Sequence, residues 1–487
     1  PFRRTFALTP ECVLACAHTQ GTKGAMTVAG TPGRGPALSR GLAVITVLKG
    51  MIGSGILGLP YVFGQVRLAV AAPGMLVTAV LGAFSVWRLI ECKEIVAGTM
   101  RCAASAGQGA ESVAGRGQAL GLGALADVGH QTFGIAGVAV AAFGILGTQL
   151  GFALSYVDVV VETLTEPTLL GTRCSALTLR FAVGGALCCL CLLRRLSGLA
   201  RLSGAALLIY AYLLGALLFF GCPRLVSGEA PDASDAWLPV RWAGFGPWFG
   251  TAIFAQEAIV ICQYVYDDMC LTERRQFLPV LVGSFGISGG LFAFVGAFGF
   301  YSYGDHVQNI FYLSFPAGSP AVAVGEVVLC TVLMLTFALQ MYPVMSFLEA
   351  TVLGVLPGHA SCPSGPEAVD AEKGSNGNDA GENGDPAKPV QPMAAEGGFA
   401  AAFALDPRAA LIRCSAVGVI CIAAALIPDL AVVTGYSGCF AMTSVGFFMP
   451  ACCHAKLLGG RLSPAQWLGN AALMGAGCAA VGFGLMA

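Results

Sequence analysis

Eleven apolar stretches recur along this chain, each about 20 residues long, the length a helix needs to cross the hydrocarbon of a bilayer. They lie near residues 41–65, 69–90, 133–161, 176–193, 203–221, 245–264, 277–301, 321–348, 409–427, 430–456 and 464–486. The ninth and tenth are parted only by Ile427, Pro428 and Asp429, yet their joint length requires two crossings. Lipid offers backbone N–H and C=O groups no partner but each other, so such a chain is expected to be an all-α integral membrane bundle of about 11 transmembrane helices. Composition agrees, since 56% hydrophobic and 11% charged residues fall outside the range of soluble globular proteins. A net charge of −1 gives no basic surplus for nucleic acid, which leaves the lipid bilayer as the expected partner surface.

The flanks and loops orient the bundle. Residues 1–38, with Arg3, Arg4, Lys23 and Arg34, lack a continuous apolar core and read as a flexible cytosolic tail ahead of a transmembrane domain at 39–487. The chain opens at Pro1 and is expected to be a piece of a longer one. Residues 357–397 are rich in Pro, Gly, Ala, Asn and acids and read as a disordered cytosolic loop. With the N-terminus in the cytosol, the inward segments hold 20 of the 26 Lys and Arg residues and the outward ones 5, while Lys49 lies within the first span. That orientation puts the C-terminus outside, together with Cys174 and Cys222, where oxidation is permitted. The 19 cysteines are scattered through apolar segments without zinc-type spacing, so neither a metal site nor a cofactor is expected. No asparagine begins a glycosylation sequon.

The first span carries the sharpest local signal. Within residues 44–60 the run Gly50-Met51-Ile52-Gly53-Ser54-Gly55 and the later Gly58 and Pro60 loosen a helix that must otherwise stay continuous. Broken backbone survives at membrane depth only where a cavity or a ligand satisfies it. Half-helix N-termini present free N–H groups and partial positive charge, which suits a carboxylate without an arginine, and Gly53, Ser54 and Gly55 are expected to supply that donor cluster. The sixth stretch opens with Gly244-Phe245-Gly246-Pro247 and carries Gly250, so a second break is expected there. Two ionisable groups sit well inside spans, each costing at least ~2.5 kcal/mol on insertion scales. Lys49 precedes the break by one turn and either snorkels to the cytosolic headgroups or gates the site. Glu257 holds a proton, braces the broken sixth helix through a backbone N–H, or pairs with Lys49. Asp158, Glu162, Asp267 and Asp268 fall near span ends and read as solvated boundary residues.

These residues carry a resemblance. Lys49 to Pro60 is similar to the first-helix signature of the amino acid/auxin permease family, in particular its proton-coupled branch of vacuolar and lysosomal type. Gln149-Leu150-Gly151-Phe152, Phe249 to Phe254 followed by Glu257, Phe337 to Tyr342, and Leu426-Ile427-Pro428 agree with it in order and spacing, so the resemblance covers roughly residues 41 to 460. It implies a leucine-transporter type of fold, in which spans one to five and six to ten form inverted repeats and the eleventh is appended. It also implies an amino-acid substrate, a coupling ion that is H+ or Na+, and a site built from Ile52, Gly53, Ser54, Gly55, Gln149, Phe254 and Glu257. Three positions depart from that branch: Thr46 stands where it has histidine, Met51 where it has asparagine, and Ala258 where it has glycine. With Thr46 unable to titrate, Glu257, the acid deepest in a broken helix, is the expected carrier of a coupled proton.

Function then reads as secondary active transport of amino acids, the alternative being a membrane receptor that senses an amino acid without moving it. No histidine cluster or nucleophile motif supports an enzyme. Vacuolar, lysosomal and plasma membranes all remain open.

Overall fold

The computed structural model describes residues 38–105, 122–165, 175–192, 206–228, 233–269, 273–316, 318–354, 406–427 and 429–486. The tail ahead of Leu38, the loop 357–397, Cys174 and Pro428 lie outside these residues. Among the described residues the regular elements are helices, with a single β-bridge between Leu38 and Met269. Nine helical runs among the described residues are long and apolar enough to cross a membrane, and the bent pair α1 (Arg40–Met51) and α2 (Gly55–Val66) makes a tenth. The fourth expected span forms α6 (Ala176–Cys191), which at 16 residues reaches only about 24 Å, short of the hydrocarbon thickness within the described residues. Ten of the eleven expected crossings thus reach that length among the described residues, and the fourth is seen there as one shorter apolar helix, with residues 193–205 after it outside the described residues.

Between α2 and α6 run α3 (Leu68–Ser105), α4 (Gly123–Phe133) and α5 (Ile135–Thr165). Then come α7 (Ala206–Ser227), α8 (Phe245–Ala255), α9 (Ile259–Asp268), α10 (Phe277–Tyr303), α11 (Pro320–Gln340) and α12 (Tyr342–Leu353). The last are α13 (Pro407–Leu426), α14 (Leu430–Tyr436), α15 (Met449–Leu458) and α16 (Pro464–Met486). The ninth and tenth stretches are indeed two spans, because the Asp429 carboxylate accepts the N–H groups of Ala431 (2.9 Å) and Val432 (3.2 Å) and starts α14 afresh.

The centre of the bundle is a close approach of helices at small residues. A Cβ on Gly250 of α8 would overlap the backbone of Gly435, one on Gly438 would overlap the backbone of Gly250, and one on Gly55 would sit 2.9 Å from the Cα of Ala255. Beyond α14 the chain widens into two π-helical stretches, Ser437–Met442 and Ser444–Phe448. Hydroxyls cover the carbonyls that this widening frees. Thr443 donates to Gly438 (2.8 Å), Ser444 to Ala441 (2.7 Å), and Ser85 reaches from α3 to the carbonyl of Gly446.

Three charge assignments change in the folded chain. Asp267 is not simply solvated, because Lys93 of α3 pairs with it at 2.6 Å and ties the second span to the sixth. Asp158 is not solvated; it is 4% exposed inside α5. Buried charge is also more common than the two intramembrane groups expected, since Arg67, Arg88, Glu326 and His454 are buried as well. Asp268 is exposed, as expected.

Candidate functional site

The first break is real and lies at Ile52–Ser54. Ile52 adopts an extended conformation (φ −78°, ψ 102°), and α2 leaves α1 at 61°. The backbone N–H of Ile52 still reaches Leu48, while those of Gly53, Ser54 and Gly55 find no protein acceptor among the described residues. Pro60 contributes nothing to the break, since α2 continues through it.

The second break falls later than the glycines suggest. Gly246 and Pro247 sit in the first turn of α8, where a missing N–H is harmless, and Gly250 is an interior packing residue. The helix instead ends at Ala255 and restarts at Ile259, leaving Gln256, Glu257 and Ala258 outside regular structure. Glu257 Oε1 accepts the N–H of Ile259 at 2.9 Å, so its carboxylate braces the start of α9. Gln256 Nε2 donates to the carbonyl of Met75 (2.9 Å) and to Thr78 (3.0 Å), which fastens the same break to α3. Ala258 has φ −147°, so an L side chain fits where the resembling branch has glycine. Beside Gln256 and Glu257 a cavity of about 30 Å³, lined also by Thr78 and Ser85, has room for a single water.

The two breaks meet across α5. Ser54 and Ser155 share a buried 2.7 Å hydrogen bond between their hydroxyls, and Ser155 also donates to the Phe152 carbonyl. The rings of Phe152 and Phe254 lie 4.6 Å apart, with Tyr156 6.3 Å further along α5. A Cβ on Gly53 would be 3.6 Å from the Tyr156 hydroxyl, while one on Gly55 would meet Phe254 at 3.0 Å. The fold thus brings Gly53, Ser54, Gly55 and Phe254 together and adds Ser155 and Tyr156, which sequence reasoning missed. Their signal was the spacing itself, since Gln149, Phe152 and Tyr156 share one helical face. Gln149 is buried with Oε1 unpaired, one turn before Phe152. Ile52 is half-buried at the break.

Lys49 is half-buried and forms no ion pair with Glu257 or any other acid among the described residues. Thr46 spends its hydroxyl on the carbonyl of Leu42 at 2.7 Å. In the eighth span Phe337 and Ala338 are buried, whereas Tyr342 begins α12 and is exposed. A larger cavity of about 260 Å³, lined by Tyr61, Gln65, Gly246, Pro247, Asp429 and Tyr436 among others, lies further along α2. Tyr61 is about 9 Å along the helix from Gly55.

A bundle of about ten spans among the described residues, two of them interrupted, defines an all-α polytopic membrane protein. Residues 38–487 match the model of the transmembrane amino acid transporter protein family, and the chain belongs to that family. It is similar to the vacuolar amino acid transporter 3 of Schizosaccharomyces pombe, with 21% identity over 320 residues, which is 66% of this chain. The aligned region spans 44% of that relative's length.

Proposed function

We propose that this chain is a secondary active carrier that moves amino acids across a membrane by alternating access. The observation that carries the reading is the row of three unpartnered N–H groups at Gly53, Ser54 and Gly55, walled by Phe152, Tyr156 and Phe254. In an apolar interior such a cluster suits an anion of carboxylate size, and at Gly53, where a Cβ would meet only the Tyr156 hydroxyl at 3.6 Å, a substrate can approach the backbone closely. In this reading Ile52 and Gln149 also contribute to the site, and Glu257 holds the second break in shape. In this reading spans one to five and six to ten are inverted repeats, the N-terminus is cytosolic, and the protein resides in a vacuolar, lysosomal or plasma membrane. Family membership and the likeness to a vacuolar amino acid transporter support the substrate class.

The test is uptake of a radiolabelled panel of the common amino acids into liposomes holding the purified chain, under imposed pH or sodium gradients. Accumulation of at least one amino acid that collapses with the driving gradient is the expected result. Specific binding without uptake under any gradient would replace the carrier with an amino-acid-sensing receptor.

A further inference from the structure

One turn beyond Ser155, the residue that touches the first break, α5 carries Asp158. Neither carboxylate oxygen has a hydrogen-bond donor among the described residues, and both are sealed from solvent. An acid in that position is costly to hold as a bare anion, in lipid above all, unless a cation joins it. Its surroundings supply none in contact. Arg180 on α6 acts on it from a distance, forms no ion pair with it, and has its own Nε buried and unpaired. Glu162 on the same helix and Asp429 ahead of α14 act on it with like charge. Asp429 is already engaged, by the N–H groups that start α14 and by Asn309 Nδ2 at 2.8 Å. On α11, Glu326 is buried and acts on Tyr312, the hydrogen-bond partner of Thr163. The remaining ionisable groups on neighbouring helices belong elsewhere. Asp127 and His130 are on α4, which crosses α5 closely at Gly137, and Arg413 of α13 pairs with Glu349 at 2.6 Å.

Resting on the carrier reading, we infer that Asp158 is the binding group for the coupled proton. In the conformation described here the carboxyl holds a proton taken from the water on the side to which the site last opened. When the spans rearrange, it gives that proton to water on the other side, and the carboxylate left behind is met by the Arg180 guanidinium. Glu257, by comparison, already has a backbone donor in Ile259. The position of Asp158, three residues from Ser155 and thus on the same side of α5, links proton occupancy to the geometry of the substrate break.

Two measurements on the full chain in liposomes test this. The first is an infrared pH titration of the carboxylic C=O stretch, which needs no transport. At neutral pH, where solvent-facing carboxylates are ionised, a protonated-carboxyl band is expected in the parent and is expected to lose one carboxyl's intensity in Asp158→Asn. The second compares exchange without a gradient to accumulation under a tenfold proton gradient, where one proton per amino acid sustains about tenfold accumulation. Asp158→Asn, nearly isosteric and uncharged, is expected to keep exchange and lose accumulation altogether. An Asp158→Asn protein that accumulates like the parent, an infrared band unchanged by the substitution, or accumulation lost only in Glu257→Gln would each overturn the assignment. Should Asp158→Asn fail to reach the membrane, Arg180→Gln is expected to move loss of the band to higher pH, and an unmoved titration would count against the proposal. If the parent moves no amino acid while the band is present and loses that intensity in Asp158→Asn, the carrier reading fails and the proton site stands.

Discussion

At the scale of single residues, the glycines at the first break differ sharply in what they tolerate. A Cβ on Gly53 meets only the Tyr156 hydroxyl at 3.6 Å, whereas one on Gly55 runs into the backbone of Ala255 at 2.9 Å. Gly53→Val is therefore expected to insert and fold normally while losing substrate binding at least tenfold, because the branched side chain takes the space of the carboxylate. Gly55→Val is expected to lower stability as well, by the few kcal/mol typical of overpacking. Equilibrium binding together with a thermal melt in detergent separates the two, and undiminished affinity in Gly53→Val would make the break a packing feature alone. Ser54→Ala is a milder probe. It leaves the Ser155 hydroxyl with only its bond to the Phe152 carbonyl and should cost about 1 kcal/mol of stability, read by the same melt.

At the scale of elements, the sixth span is where local sequence and local structure part. Its interruption carries neither glycine nor proline; Gln256, Glu257 and Ala258 stay non-helical because the Gln256 amide bonds across to α3 and the Glu257 carboxylate bonds forward to Ile259. Glu257→Ala should lower stability by about 1 kcal/mol, as loss of an N-terminal cap does, while Glu257→Gln retains an oxygen for the Ile259 N–H and should melt near the parent. Equal melting of both variants would show that the brace is not energetically coupled to the fold. The first break was legible because glycine and serine loosen a helix by themselves. The second was legible only as an acid misplaced in an apolar run, since the groups that hold it open come from a span some 180 residues away in sequence. Asp158 was read as a boundary residue for a related reason. Hydropathy measures how apolar a stretch is, and a helix that runs on to Thr165 buries an acid that a shorter one would have left at its rim.

At the scale of the whole molecule, the spans themselves were readable because a bilayer admits few alternatives to long apolar helices, and ten of the eleven expected stretches become helical runs of sufficient length. The fourth is described only over Ala176–Cys191, 16 apolar residues. Orientation rests on loop charge and can be checked directly. Cys222 is an exposed free thiol in α7, and a membrane-impermeant maleimide is expected to reach it from the non-cytosolic face. A cysteine introduced within 357–397 should be labelled only after the membrane is opened. Labelling of both from one side would reverse or break the topology.

The widened tenth span has a consequence for which sequences can share this architecture. Its loosened carbonyls at Gly438, Ala441 and Gly446 are each covered by a hydroxyl, from Thr443, Ser444 and Ser85, deep in a bundle where water is scarce. Those three positions thus obey a rule of spelling set by oxygen and not by size: serine and threonine are interchangeable letters there, whereas valine, the closest match to threonine in shape, is a misprint. The lone letter on α3 matters beyond its own helix, since it ties the second span to the main chain of the tenth beside the side-chain link that Arg88 and Glu91 make to His454.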